Sequence, residues 1–154
     1  MLEKYLQYLR HVRHHSENTL QAYRRDLEVF LDFLGCTGRQ EDRLDQAGVR
    51  AFIGHLSRRP MSSRTMNRIL SALRGYYRFR QKLGLEGGNP FREVRCLKTE
   101  KKLPVFLFEK EVESLLAGGC ADFWQLRDLL ILELLYCTGC RVGELASVNL
   151  TDLD

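Results

Sequence analysis

The hydrophobic positions of the first hundred residues recur at helical spacing in four separate runs. Leu2, Tyr5, Leu6 and Leu9 stand three and four residues apart, the interval that puts side chains on one face of a helix. A second run, Leu20, Tyr23, Leu27, Phe30, Leu31 and Leu34, follows Asn18 and Gln21, a pair with capping-box spacing, and is expected to end at Gly35. Asp45 should cap a third helix that turns Val49, Phe52, Ile53 and Leu56 inward, with Pro60 stopping it. The fourth spans about 62–83, SSRTMNRILSALRGYYRFRQKL. Its Met66, Ile69, Leu70, Leu73, Tyr76 and Tyr77 share one side, and Arg64, Asn67, Arg68, Ser71, Arg74, Gly75 and Arg78 occupy the other.

Periodicity is lost over GLEGGNPFREVRCLKTEKKLP, where Gly-Gly, Asn-Pro and Leu-Pro interrupt any regular element. This stretch is expected to be a linker. Beyond it FEKEVESLLAGG reads as a short helix, DFWQLRDLLILELLYCTG as a longer and heavily buried one, and VGELASV as a last short one after the turn at Gly139. The fold class is therefore all-α, divided into a helical body at 1–84, a basic linker at 85–104 and a second helical piece at 105–154.

Charge sharpens this division. The chain of 154 residues carries a net charge of +4. Residues 58–102 hold 13 Arg or Lys against three Glu, a net of +10, leaving 11 basic against 17 acidic residues, or −6, elsewhere. Such a cationic block calls for a polyanionic partner. On the fourth helix the arginines alternate with the small Ser71 and Gly75, an arrangement expected to let a phosphate backbone approach closely, where a solvated face would mix Glu with Lys. Arg24, Arg25, Lys98, Lys101 and Lys102 complete the set of candidate nucleic-acid-binding cations. A hydrophobic content of 44% with 29% charged residues excludes disorder. No run is long and apolar enough for a signal peptide or a membrane span, so a cytoplasmic location is expected.

Other chemistry is thinner. Cys137 and Cys140 form a C-x-x-C without a second pair or a downstream His, so this pair is expected in the core, and the five cysteines are expected to be reduced thiols. His11 and His15 have metal-ligand spacing but no third partner, and a basic helix end explains them. Tyr76, Tyr77 and Tyr136 lie on apolar faces and are expected in the core. Arg141 differs, for it follows an apolar run and a Gly turn, and its guanidinium must find an anion. Glu144, three residues on, offers an internal ion pair. A phosphate in an active site is the other reading, since planar preorganised donors stabilise a developing phosphorane charge.

The stretch RDLLILELLYCTGCRVGELASVNLTDLD closely resembles the segment of Xer-type tyrosine recombinases, the integrase family, in which a Thr-Gly-x-Arg-x-x-Glu-Leu motif supplies the first catalytic Arg. SENTLQAYRRDLEVFLDFL, SSRTMNRILSALRGYYRF, NPFREV and KKLPVFL are similar in order and spacing to that family's core-binding domain and linker. The resemblance implies a four-helix SAM-like core-binding domain followed by the first helices of a catalytic domain. It implies double-stranded DNA and other recombinase subunits as partners, strand exchange through a 3′-phosphotyrosine, and no metal, nucleotide cofactor, small-molecule substrate or membrane. Arg141 would clamp the scissile phosphate, Glu144 would support it, and Arg64, Asn67, Arg68, Arg74 and Arg78 would touch phosphates or a groove. The family's catalytic Lys, His-x-x-Arg box, late His or Trp and Tyr nucleophile all follow the first Arg, beyond Asp154. The chain is thus expected to be inactive by itself, either as the N-terminal half of a recombinase or as a stand-alone, non-catalytic DNA-binding module. Cys140 stands where an aliphatic residue is usual, and Gly143 where Ser is common.

Overall fold

The structure, a computed structural model, describes residues 1–85, 87–99, 103–119 and 121–152, Leu150 by its backbone alone. Among these residues the chain is all-helical, and it divides into two compact units, 1–101 and 102–154. The first unit contains α1 (Leu2–His11), α2 (Glu17–Thr37), α3 (Gln46–Ser57) and α4 (Ser63–Lys82), with a 3₁₀ turn at Glu41–Arg43.

Side-chain caps set three of these helix starts. The Asp45 carboxylate accepts from the Gly48 N–H at 2.7 Å, and the Ser62 hydroxyl from the Thr65 N–H at 3.1 Å. The cap of α2 is Ser16, which accepts from the Thr19 N–H, not Asn18 as the spacing predicted. That helix also runs past Gly35 and ends at Gly38, whose φ of 65° turns the chain out of the helix. A glycine tolerates helical angles, so only a left-handed residue stops the run.

The core of the first unit is aromatic. Phe30 meets Phe52 edge-on at 5.1 Å and Phe91 at 5.6 Å, and Tyr77 packs on Phe91 at 5.6 Å. Phe91 lies inside the stretch expected to be a linker, yet it is 0% exposed. The backbone on either side of it is tied to α4. The Asn89 side-chain amide donates to the Arg74 carbonyl at 3.0 Å, Arg74 donates to the Val94 carbonyl at 3.3 Å, and the Asn67 side chain exchanges two hydrogen bonds with Leu97, at 2.9 and 2.8 Å. Through Leu97, then, the interval is a strap bound to the first unit. Its backbone groups lack helical partners and take them from α4 side chains instead. Arg80 is also buried, between the rings of Tyr76 and Tyr77, and pairs with Glu41 at 2.5 Å and with Asp42, which pins the 3₁₀ turn to α4.

The second unit comprises α5 (Glu109–Leu116), α6 (Phe123–Thr138), α7 (Val142–Leu145) and a 3₁₀ turn at Leu150–Asp152. No residue of α5, α6 or α7 is buried. The expectation that α6 would be heavily buried is corrected here, since Trp124 is 61% exposed and Phe123, Leu126, Leu130 and Leu132 are exposed as well. A helix apolar on all sides needs neighbours on all sides, and two short helices cannot supply them. Among the described residues no helix is long and apolar enough to cross a membrane.

Candidate nucleic-acid interface

The basic side of α4 is not uniform. Arg64 is exposed and has no carboxylate partner among the described residues; with Ser62, Ser63, Lys98 and Thr99 it lines an open groove where the strap passes the helix start. Arg78 is exposed and equally unpaired, and lines a second groove with Arg74, Gln81, Asn89 and Arg92. Arg92 was not among the sequence candidates. It is brought beside Arg78 only because Phe91 anchors the strap.

Three other candidates already have partners inside the fold. Asn67 spends its amide on both backbone groups of Leu97, and Arg74 is half-buried with a bond to the Val94 carbonyl. Arg68 bonds Asp26 at 3.0 Å. Asp26 is 3% exposed, and burial pushes its carboxyl up to about 6 while Arg68 and Arg25 pull it down. The partly exposed Arg68 guanidinium is thereby held at the surface by a carboxylate beneath it. On α2, Arg24 is engaged with Glu3 at 2.5 Å, whereas Arg25 is exposed and, among the described residues, bonds only the Gln21 carbonyl. Lys101 and Lys102 lie outside the described residues. Gly75 has another reason to be small than the one expected: a Cβ there would stand 2.5 Å from the Tyr5 hydroxyl, so the glycine admits a core tyrosine.

In the second unit Gly139 closes α6 with a φ of 63°, and the Cys140 N–H donates to the Thr138 hydroxyl at 3.2 Å. This turn delivers Arg141 to the start of α7. One carboxylate orients it: Glu144 accepts from the Arg141 backbone N–H at 2.8 Å and from its Nη1 at 2.8 Å. The backbone donor first and the guanidinium second hold the Glu144 carboxyl below its usual range. The pair is open, because the Arg141 side chain is 87% exposed, so most of its five donors remain available. The expected ion pair is present, and it leaves the guanidinium largely exposed.

Tyr136, expected in the core, is 57% exposed. Cys137 is exposed and Cys140 half-buried, which corrects the expectation that this pair lies in the core; Cys36 and Cys96 are exposed, and Cys120 lies outside the described residues. Both changes at Tyr136 and Cys137 follow from the open surface of α6. His11 ends α1 and His15 lies beyond it against Tyr23, so the two do not share a helix. No cluster of three metal-ligating side chains occurs among the described residues.

Comparison with known proteins agrees with this architecture. Residues 2–83 match the phage integrase N-terminal SAM-like domain. The chain is 35% identical to tyrosine recombinase XerC of Treponema denticola over 100% of its own length and 51% of that protein. It is 41% identical to the XerC of Pseudomonas fluorescens over 99% of its length and 52% of that protein, and 37% identical to that of Pediococcus pentosaceus over 100% and 52%. It therefore spans about half the length of these curated relatives. With more than half of its residues forming that domain, the chain belongs to the phage integrase family of tyrosine recombinases.

Proposed function

We propose that this chain is the DNA-binding portion of a site-specific tyrosine recombinase. Residues 1–101 form the body that grips duplex DNA, and residues 102–154 form the opening part of a catalytic domain. One observation carries the reading: Arg64, Arg78, Arg92 and Lys98 stand exposed along α4 and its strap with no carboxylate partner among the described residues. Uncompensated cations in a row repel one another, and a phosphate backbone relieves the repulsion while releasing counterions. Arg68 adds a partly neutralised guanidinium to the row, and Asn67 and Arg74 act by holding the strap.

Arg141, aimed by Glu144, is the clamp for the scissile phosphate. It acts on charge that develops during phosphoryl transfer, and a fixed guanidinium with unspent donors suits that task. One arginine is not a complete site, for covalent transfer also needs a nucleophile and proton donors and acceptors. These 154 residues alone should therefore bind duplex DNA without cutting it. The test is a triple charge reversal, Arg64→Glu, Arg78→Glu and Arg92→Glu, on exposed positions that leave the core untouched. Duplex affinity should collapse, and the slope of log K against log salt should shrink by roughly 0.9 for each phosphate no longer neutralised. Parent-like binding by the triple variant would refute the assignment of this face. A suicide substrate that becomes covalently attached to the chain would refute the lack of cleavage.

A further inference from the structure

A cavity of about 150 Å³ opens between α1 and α4, sharing Arg78 with the second groove and otherwise lined by different residues. Its lining includes Tyr5, Arg13, His15, Ser71, Arg78 and Lys82, and no carboxylate lines it. Tyr5 lines it, a residue 2% exposed overall. Gly75 leaves the room in which the Tyr5 hydroxyl sits. Burial raises the Tyr5 phenol well above its ordinary range, the hydroxyls of Tyr23 and Tyr8 add to the effect, and the cations Arg78 and Arg13 oppose it. The hydroxyl therefore stays protonated at neutral pH, a donor under the influence of two guanidiniums. Lys82 also lines it, its ammonium donating to the Tyr8 hydroxyl at 3.4 Å. Arg13 and Arg78 have no ion-pair partner among the described residues.

Cations gathered without a counter-charge repel one another, and a hydroxyl that faces a cavity beside them is a free donor. One anionic ligand relieves that repulsion and accepts from the hydroxyl. We propose that the cavity is an oxyanion site that takes a single phosphate group, with the Tyr5 hydroxyl donating and Arg13 and Arg78 supplying charge. A cavity of this volume holds a molecule about the size of benzene, so a tetrahedral oxyanion fits and a whole nucleotide does not. The phosphate belongs either to a DNA backbone, in which case the inference rests on the function proposed above, or to a free phosphate ion.

Two variants of the full chain separate the cases. Tyr5→Phe removes one oxygen and keeps the ring in the core; Arg13→Ala lies on the exposed loop after α1 and outside the α4 face. If a DNA phosphate fills the cavity, Y5F should weaken duplex binding about tenfold with its salt slope unchanged, because a neutral hydroxyl releases no counterion. R13A should then lower that slope by roughly 0.9. If free phosphate is the occupant, duplex binding is unchanged in both, while titrating inorganic phosphate at constant ionic strength shifts the Ser71 and Gly75 amide resonances of the parent and not those of Y5F. Either result supports the site. Equal duplex affinity together with equal phosphate response in parent and Y5F overturns it. A double reversal, Arg64→Glu and Arg92→Glu, tests the α4 face without touching the cavity, and the phosphate titration decides the cavity if duplex binding is absent.

Discussion

Tyr5 and Gly75 share one space, and neither residue is understood without the other. A methyl group on residue 75 would stand 2.5 Å from the Tyr5 hydroxyl but 3.7 Å from the ring carbon that bears it. Gly75→Ala should therefore destabilise the chain by about 1–3 kcal/mol through overpacking. In a Tyr5→Phe background the obstruction is gone, and the same substitution should be neutral or stabilising by up to about 1 kcal/mol, the helix-propensity difference between Ala and Gly. Urea unfolding of the four proteins tests this sign reversal. Asp26 gives a second prediction at this scale. Its carboxyl titrates near 6 in the folded chain against 3.8 when exposed, so its favourable contribution is fully present below about 4 and is lost as pH rises through 6. Relative to Asp26→Asn, the parent should lose stability between pH 4 and pH 7, and parallel unfolding midpoints for the two proteins would remove the basis for it. Arg141 shows how far a residue type alone can be read. Its spacing to Glu144 announced an ion pair, but only the exposed geometry showed that the pair leaves donors free.

At the level of elements, α4 organises the first unit. One face enters the core through Met66, Ile69, Leu70, Leu73, Tyr76 and Tyr77, all buried, as its 3.6-residue pattern required. Its other face binds the strap. That attachment depends on Phe91, which closes the aromatic cluster around Phe30. Phe91→Ala should cost about 3–5 kcal/mol, a large share of the stability of a domain this size, and should speed hydrogen exchange at the Leu97 amide that Asn67 holds. Unchanged protection at Leu97 would mean that the hydrogen bonds from α4 keep the strap in place without the ring. The strap was not legible in the sequence. Period-based reading detects repeated apolar positions, and a single phenylalanine among glycine, proline and arginine leaves no period to detect. Helix ends failed for a related reason: Ser16 displaced Asn18 as the cap, and the chain left α2 at Gly38 instead of Gly35, because an N-cap and a left-handed exit are decided by local backbone angles.

Across the whole molecule the two units differ in completeness of packing. Residues 1–101 enclose an aromatic core, whereas α6 presents Phe123, Trp124, Leu130, Ile131 and Tyr136 on its surface. Apolar surface of this kind drives association. Light scattering should show the full chain self-associating with rising concentration and a chain ending at residue 101 remaining monomeric; equal scattering from both would locate the association elsewhere. The sequence by itself determined the helices, their inward faces, the segregation of positive charge and the Thr-Gly-Cys-Arg turn with its Glu144, because each is a local pattern repeated at a fixed interval or held within a few residues. Tertiary structure alone decided which cations are free. Arg24, Arg68 and Arg80 found carboxylates 21 to 42 residues away, Arg74 and Asn67 were engaged by the strap, and Arg64, Arg78, Arg92 and Lys98 were left facing solvent. Pairing over such distances depends on how helices pack in space, and spacing along a chain carries no record of it.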